Sequence, residues 1–266
     1  MTETVRTAVR QAAEELIEAT TSSVAIQKSF ETHRAKVHFT PSKYRVLGGL
    51  LQSLNIKFGN FLEKLFDLVI QSDGNVERHP RSGSKFPLRF TADTDARIDA
   101  YITSRQLPES PDRCDEQFEA LLESIVETEQ DETKEKQVIT KDIDALFQPD
   151  TKNYVYVEIK YNDDHDTGKF IDINRKFIKA FAGLVNELEI DARNQLKPIL
   201  YYFNPTKRYG PIYVPSSNIY RGSRLFDEYF ETKYEDVDNY LREIGDDPEI
   251  IRMFDNMYER VRNYDA

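Results

Sequence analysis

The chain has 266 residues, of which 39% are hydrophobic and 31% charged, with a formal net charge of -11. That length suits one elaborated domain or two small ones of ~100–200 residues, and a single domain over residues 1–266 is the simpler expectation. No apolar run reaches the ~18 residues of a membrane span, and the start, MTETVRTAVRQAAEELIEAT, lacks an apolar signal core, so a cytoplasmic protein is expected.

Cys114, the one cysteine, excludes an internal disulfide and a cysteine-rich zinc site. His33, His38, His79 and His165 have no metal-ligand spacing such as HExxH. The negative charge is unevenly spread. Residues 109–137 hold eleven acids and three bases, and residues 227–249 hold ten acids and two bases. Residues 28–60 carry six bases against Glu31, and residues 169–224 carry ten bases against four acids. Such asymmetry fits a protein that grips a polyanion on one face, although ordinary solvated surface has the same look.

Val5, Ala8, Val9, Ala12, Leu16 and Ile17 recur at helical spacing, as do Leu50, Leu54, Phe58, Phe61, Leu62 and Leu65. In TDARIDAYITSRQ, Ile98, Tyr101 and Ile102 predict a helix behind a Thr94 cap, and DEQFEALLESIVE predicts another. The pattern then becomes alternating, β-branched and aromatic: VITKDIDALF (138–147) and NYVYVEIKY (153–161), separated by QPDTK, predict a hairpin. After the loop NDDHDTGK, Phe177, Ile178, Phe181, Leu184, Val185 and Leu188 predict an amphipathic helix, and KPILYYFN a strand. Residues 204–224 read as long loops around a short strand. Helices close the chain, the last marked by Ile250, Ile251, Phe254, Met257, Tyr258 and Val261.

Side chains alternate along a strand, so Tyr156, Glu158 and Lys160 share one face while Val155, Val157 and Ile159 take the other. In a hairpin with VITKDIDALF, Asp142 and Asp144 share a face, and pairing brings an aspartate to Glu158 and Lys160. Two carboxylates at strand ends suit a hard divalent cation, which polarises a phosphoryl oxygen and acidifies a bound water. An ammonium beside them holds the attacking water and neutralises charge developing on the phosphate. Alone, Glu-x-Lys is equally an exposed ion pair. The loop after it lacks the spacing and closing glutamate of a calcium-binding EF-hand, and His165 stands alone in it.

The combination of DIDALF, YVYVEIK, a helix and an apolar strand resembles the PD-(D/E)xK nuclease core. The resemblance implies an α/β fold with a mixed central sheet, flanking helices, and helical N- and C-terminal decorations. It implies a helical N-terminal part at 1–80, a catalytic core at 138–203, and loops with C-terminal helices at 204–266. Magnesium would be held by Asp144, Glu158 and the backbone carbonyl of Ile159, with Lys160 completing the catalytic set. LQSLNIKFGNFLEKLF is similar to a helix that precedes this core in type II restriction endonucleases and often leans a glutamate toward the metal. Glu63 is that glutamate, or a solvent-facing residue of an amphipathic helix.

No proline precedes either aspartate. Asp144, followed by a small residue and a hydrophobic run, is preferred over Asp142, and Asp99 in ARIDAYI is a weaker competitor.

The layout is similar to type II restriction endonucleases of a HinfI-like or TdeIII-like subfamily, implying sequence-specific double-strand cleavage of DNA. A PD-(D/E)xK repair or recombination nuclease, or a non-catalytic DNA-binding protein, are the alternatives. The resemblance also implies a homodimer and a companion DNA methyltransferase without a stable complex. Base and phosphate contacts are expected from Lys43, Arg45, Lys169, Asn204, Lys207, Arg208, Asn218, Arg221 and Arg224, whose donors match base edges or phosphate oxygens. Ser216 is a further candidate in the same loop.

Overall fold

A computed structural model of the chain describes residues 1–34, 36–107, 113–163, 166–207 and 210–264. The chain divides into two compact units, Met1–Ser72 with Thr232–Ala266, and Asp73–Glu231.

The first unit is helical. It holds α1 (Glu3–Thr21), α2 (Ser23–Arg34), α3 (Ser42–Ser72), α8 (Tyr234–Gly245) and α9 (Pro248–Arg262). Val5, Val9, Ala12 and Ile17 form the buried stripe of α1, as their spacing predicts. Ile26 and Phe30 of α2, an unanticipated helix, pack with Val46, Leu50, Met257 and Val261. The C-terminal helix thus joins the N-terminal ones, and its start is set by Pro248 after an Asp247 cap.

The second unit is α/β. Its five-stranded sheet has the order β1 (Glu77–Arg78), β4 (Ala145–Gln148), β5 (Tyr154–Lys160), β6 (Leu196–Tyr202), β7 (Ile219–Arg221). The pairs β1–β4 and β4–β5 are antiparallel, while β5, β6 and β7 run parallel. The helix α6 (Thr167–Glu187) connects the parallel strands β5 and β6. Its Phe177, Ile178, Phe181 and Leu184 are fully buried in the core, with Tyr156, Leu146, Leu200 and Tyr202. Strand β5 is covered on both faces, so even its polar side chains are enclosed. Beside them lie α4 (Ala92–Ser104), α5 (Cys114–Glu129) and α7 (Arg224–Tyr229).

The order β, β, α, β expected for residues 138–203 is present, but its first strand is not one strand. Residues 136–143 form β3 (Lys136–Ile143), which pairs antiparallel with β2 (Ser84–Thr91) in a separate two-stranded sheet. The chain breaks at Asp144 and re-enters the main sheet as β4. A turn holds the break: Gly83, at φ 64°, donates its N–H to the Ile143 carbonyl at 2.8 Å, and the Leu146 N–H donates to Ser82 Oγ at 3.1 Å. A positive φ there is cheap for glycine and costly for a residue with a Cβ.

This break corrects the expectation that Asp142 and Asp144 share a face. Asp142 is exposed opposite Lys85 of β2, whereas Asp144 is buried. The helix cap also differs from expectation. Thr91, not Thr94, caps α4, its Oγ1 accepting from the Thr94 N–H at 3.1 Å.

Candidate active site

The register Ala145↔Val157 and Leu146↔Tyr156 continues one step to set Asp144 opposite Glu158. Asp144 Oδ2 accepts the Ile159 N–H at 2.8 Å and lies 3.2 Å from Lys160 Nζ. Lys160 Nζ also lies 3.0 Å from Glu158 Oε1 and donates to the Ile159 carbonyl at 2.8 Å. Asp144, Glu158, Lys160 and the Ile159 carbonyl, singled out from the sequence, therefore meet around one ammonium.

Two further side chains were missed. Lys141, on β3, donates to Glu158 Oε2 at 2.5 Å and to the Tyr156 hydroxyl at 3.0 Å. Tyr156, fully buried and stacked on Phe177 at 5.6 Å, donates to the same Oε2 at 2.6 Å. Tyr156 was legible as a polar-tipped aromatic two residues before Glu158. Lys141 was hidden because a continuous strand would point it away from Asp144.

The two carboxyls respond differently to burial. Enclosure and the neighbouring Glu158 raise Asp144 to about 6, against the pull of Lys160, Lys141 and the Ile159 N–H. For Glu158, burial pushes upward but is overcome by Lys160 and Lys141, with hydrogen bonds from Lys141 and Tyr156, so it is held well below the usual carboxylate range. Burial alone would lower Lys160, yet Glu158 and Asp144 keep it firmly protonated. Two carboxylates and two ammonium groups thus share a nearly dry cluster.

Among the described residues no group of three or more His, Cys, Asp or Glu side chains is placed to hold a metal ion. The oxygens available are two carboxylates and one backbone carbonyl, which suits a hard cation that keeps waters of its own rather than a protein cage.

The family model for type II restriction endonuclease HinfI matches residues 1–245. The type II restriction enzyme HinfI of Haemophilus influenzae is 42% identical over 265 residues, covering 98% of this chain and 98% of that protein. The chain belongs to the HinfI family of type II restriction endonucleases. No solved structure matches it. As a HinfI-family member it is a sequence-specific restriction endonuclease, a site-specific deoxyribonuclease, which selects among the alternatives the sequence left open. The mixed sheet flanked by helices is consistent with the restriction-endonuclease-like fold of that class.

The expected DNA-contacting residues of this HinfI-family chain fall into three groups. Lys169 and Lys207 are exposed, and Asn204 is half-buried, in segments that follow the carboxyl ends of β5 and β6. Lys169 belongs to the first turn of α6 rather than to a loop, its N–H capped by Asp166 at 2.9 Å. Asn204 bonds Asn162 at 3.1 Å, tying the two segments together.

The second group is engaged within the chain, Asn218 buried, Arg221 half-buried and Arg224 exposed. Asn218 is buried and donates to the Pro198 carbonyl at 2.9 Å. Arg221 pairs with buried Asp163 at 2.7 Å and lies over the Tyr202 ring at 4.5 Å. Arg224 donates to the Ser216 and Ile219 carbonyls at 3.0 and 3.2 Å, with its guanidinium over Tyr220. These donors brace the β6–β7 connection.

The third group, Lys43 and Arg45, lies in the first turns of α3 in the helical unit. Lys43 donates to the Arg262 carbonyl at 2.5 Å, and Arg45 to the Lys36 carbonyl at 2.9 Å. Glu63 is half-buried on α3. Arg208 and His165 lie outside the described residues. Asp99, the distant competitor, is exposed on α4 and pairs with Arg175 at 2.8 Å.

Proposed function

We propose that this endonuclease hydrolyses DNA phosphodiesters with magnesium held by Asp144, Glu158 and the Ile159 carbonyl, and with Lys160 as the catalytic amine. One observation carries the reading: a cation, the Lys160 ammonium, sits within 3.2 Å of an oxygen from each of those three groups. The same oxygen set suits magnesium. Bound there, magnesium supplies Lewis-acid polarisation of a phosphate oxygen and an acidified water.

The chain's own residues do the rest. Asp144 and Glu158 would hold the cation from β4's entrance and β5, on a strand paired on one side with β4 and on the other with β6. Lys160, on the same strand, orients the attacking water and offsets charge developing on the phosphate once it turns from the carboxylates. Lys43, Arg45, Lys169, Asn204 and Lys207 are the candidate DNA contacts, together with Arg208, and Glu63 is a candidate auxiliary carboxylate.

A single site reaches one strand, so double-strand cleavage of a short symmetric sequence is simplest for a twofold homodimer. Protection of the host's own copies of that sequence calls for a companion methyltransferase, which needs no stable complex with the nuclease.

The test is plasmid cleavage by Asp144→Ala, Glu158→Ala and Lys160→Ala, each expected to be nearly inactive while folded. Lys160→Ala should still bind a site-containing oligonucleotide. Full cleavage by the lysine variant would remove it from the mechanism, and a single chain per duplex that still makes double-strand breaks would remove the dimer.

A further inference from the structure

We infer that Lys141 is a positioning residue for the cleavage reaction, setting both the orientation and the effective charge of Glu158. The inference rests on the magnesium-site reading above. Lys141 comes from β3, in the two-stranded sheet, whereas Glu158 lies on β5 of the main sheet. Its half-buried ammonium reaches across to Glu158 Oε2 at 2.5 Å and is fixed by the Tyr156 hydroxyl at 3.0 Å and the Lys176 carbonyl at 3.3 Å. Tyr156 adds a second donor to the same oxygen at 2.6 Å.

The two oxygens of Glu158 therefore have separate tasks. Oε2 is anchored by two donors, and Oε1 is left facing Lys160. A carboxylate pinned through one oxygen cannot rotate, so the other is presented in a single direction.

The charge arrangement gives Lys141 a second effect. Asp144 and Glu158 are balanced by Lys160 and Lys141. Without Lys141, Lys160 becomes the lone ammonium between two enclosed carboxylates and is held more tightly against them. It is then less free to serve the phosphate. The same loss removes a positive charge from beside the carboxylate oxygens, so a divalent cation meets less repulsion there.

Lys141→Met should therefore separate metal binding from catalysis. Mn2+ binding to the DNA-free protein, followed by electron paramagnetic resonance, should tighten about threefold or more. Cleavage at saturating magnesium should fall roughly 10–100-fold, the usual effect of losing a partner that orients a metal-ligating group. Lys141→Arg keeps the charge and should recover most of the cleavage with near-parental Mn2+ affinity.

A lysine that merely supports the fold would lower both quantities together and lower the melting temperature with them. Weaker or unchanged Mn2+ binding by Lys141→Met, or parental cleavage, overturns the inference. Glu158→Ala measured alongside keeps the two readings distinct. If Glu158→Ala is inactive and Lys141→Met is parental, only the role of Lys141 fails. If Glu158→Ala cuts normally, the metal site itself is wrong.

Discussion

Asp144→Asn should stabilise the metal-free protein while abolishing cleavage. A carboxyl raised from 3.8 to about 6 by enclosure and by Glu158 carries, when ionised, roughly 3 kcal/mol of unfavourable free energy at neutral pH. Asparagine removes that charge. It keeps one carbonyl oxygen for the Ile159 N–H, and the lost attraction to Lys160 is already contained in that net penalty. The net expectation is a gain of about 2–3 kcal/mol, or roughly 4–12 °C in melting temperature for a unit of this size.

The pH dependence has a definite sign. Because the folded-state pKa lies above the unfolded value, the folded protein binds this proton more tightly. The penalty on the parent is full above about pH 6 and disappears as pH falls toward 4. Urea denaturation in the presence of a chelator should therefore show the largest advantage for Asp144→Asn near about pH 7.5, about half of it near pH 5, and little below about pH 4. Under the proposed magnesium site, adding magnesium should narrow the gap at neutral pH by stabilising the parent's native state alone. An asparagine variant no more stable than the parent at neutral pH, with a difference that does not change on acidification, would mean that the two lysines outweigh desolvation.

Gly183→Ala should destabilise the α/β unit by about 1–3 kcal/mol, because an added Cβ meets the fully buried Leu88 side chain at 2.4 Å; a thermal melt checks it. Arg221→Ala should cost about 1–3 kcal/mol by removing a charged partner of buried Asp163, and its cleavage defect should follow its unfolding, whereas Lys169→Ala should weaken oligonucleotide binding at unchanged stability. Asp99→Asn should cut plasmid DNA at the parental rate, since Asp99 is exposed and paired with Arg175; inactivity without unfolding would reopen the assignment of the metal-binding strand. Asp142→Asn should leave most activity intact, as this exposed residue faces Lys85 rather than Glu158.

The elements with a strong period were legible. The stripe of α6, the alternation of YVYVEIK and the apolar run of β6 each follow one rule along their whole length, and all three lie where their patterns put them. Strand β2 was equally regular, with Phe86, Leu88 and Phe90 buried between exposed neighbours, but Pro87 at its centre disguised it. Proline lacks an N–H and is tolerated at a sheet edge; β2 has β3 as its one paired strand. The intramolecular hydrogen bonds of Asn218, Arg221 and Arg224 were not legible, because a donor matched to a base edge is equally matched to a backbone carbonyl. Choosing between those partners requires knowing how the chain returns after β6.

The break at Asp144 explains why the sequence anticipated the meeting of Asp144, Glu158 and Lys160 but not the arrival of Lys141. Positions 141 and 144 differ by an odd number, so an unbroken strand sends their side chains to opposite faces. A single strand could bring either Lys141 or Asp144 to Glu158, but not both. Leaving one sheet at Ile143 and entering the other at Ala145 turns the chain between them, so Lys141 reaches Glu158 directly and Asp144 shares the Lys160 ammonium with it. Without Lys141 the cluster would hold two enclosed carboxylates and one ammonium, a costly arrangement in a metal-free protein. The two-stranded sheet is therefore more than an appendage. Through β3 it delivers the second positive charge that lets both carboxylates remain buried together before any metal arrives.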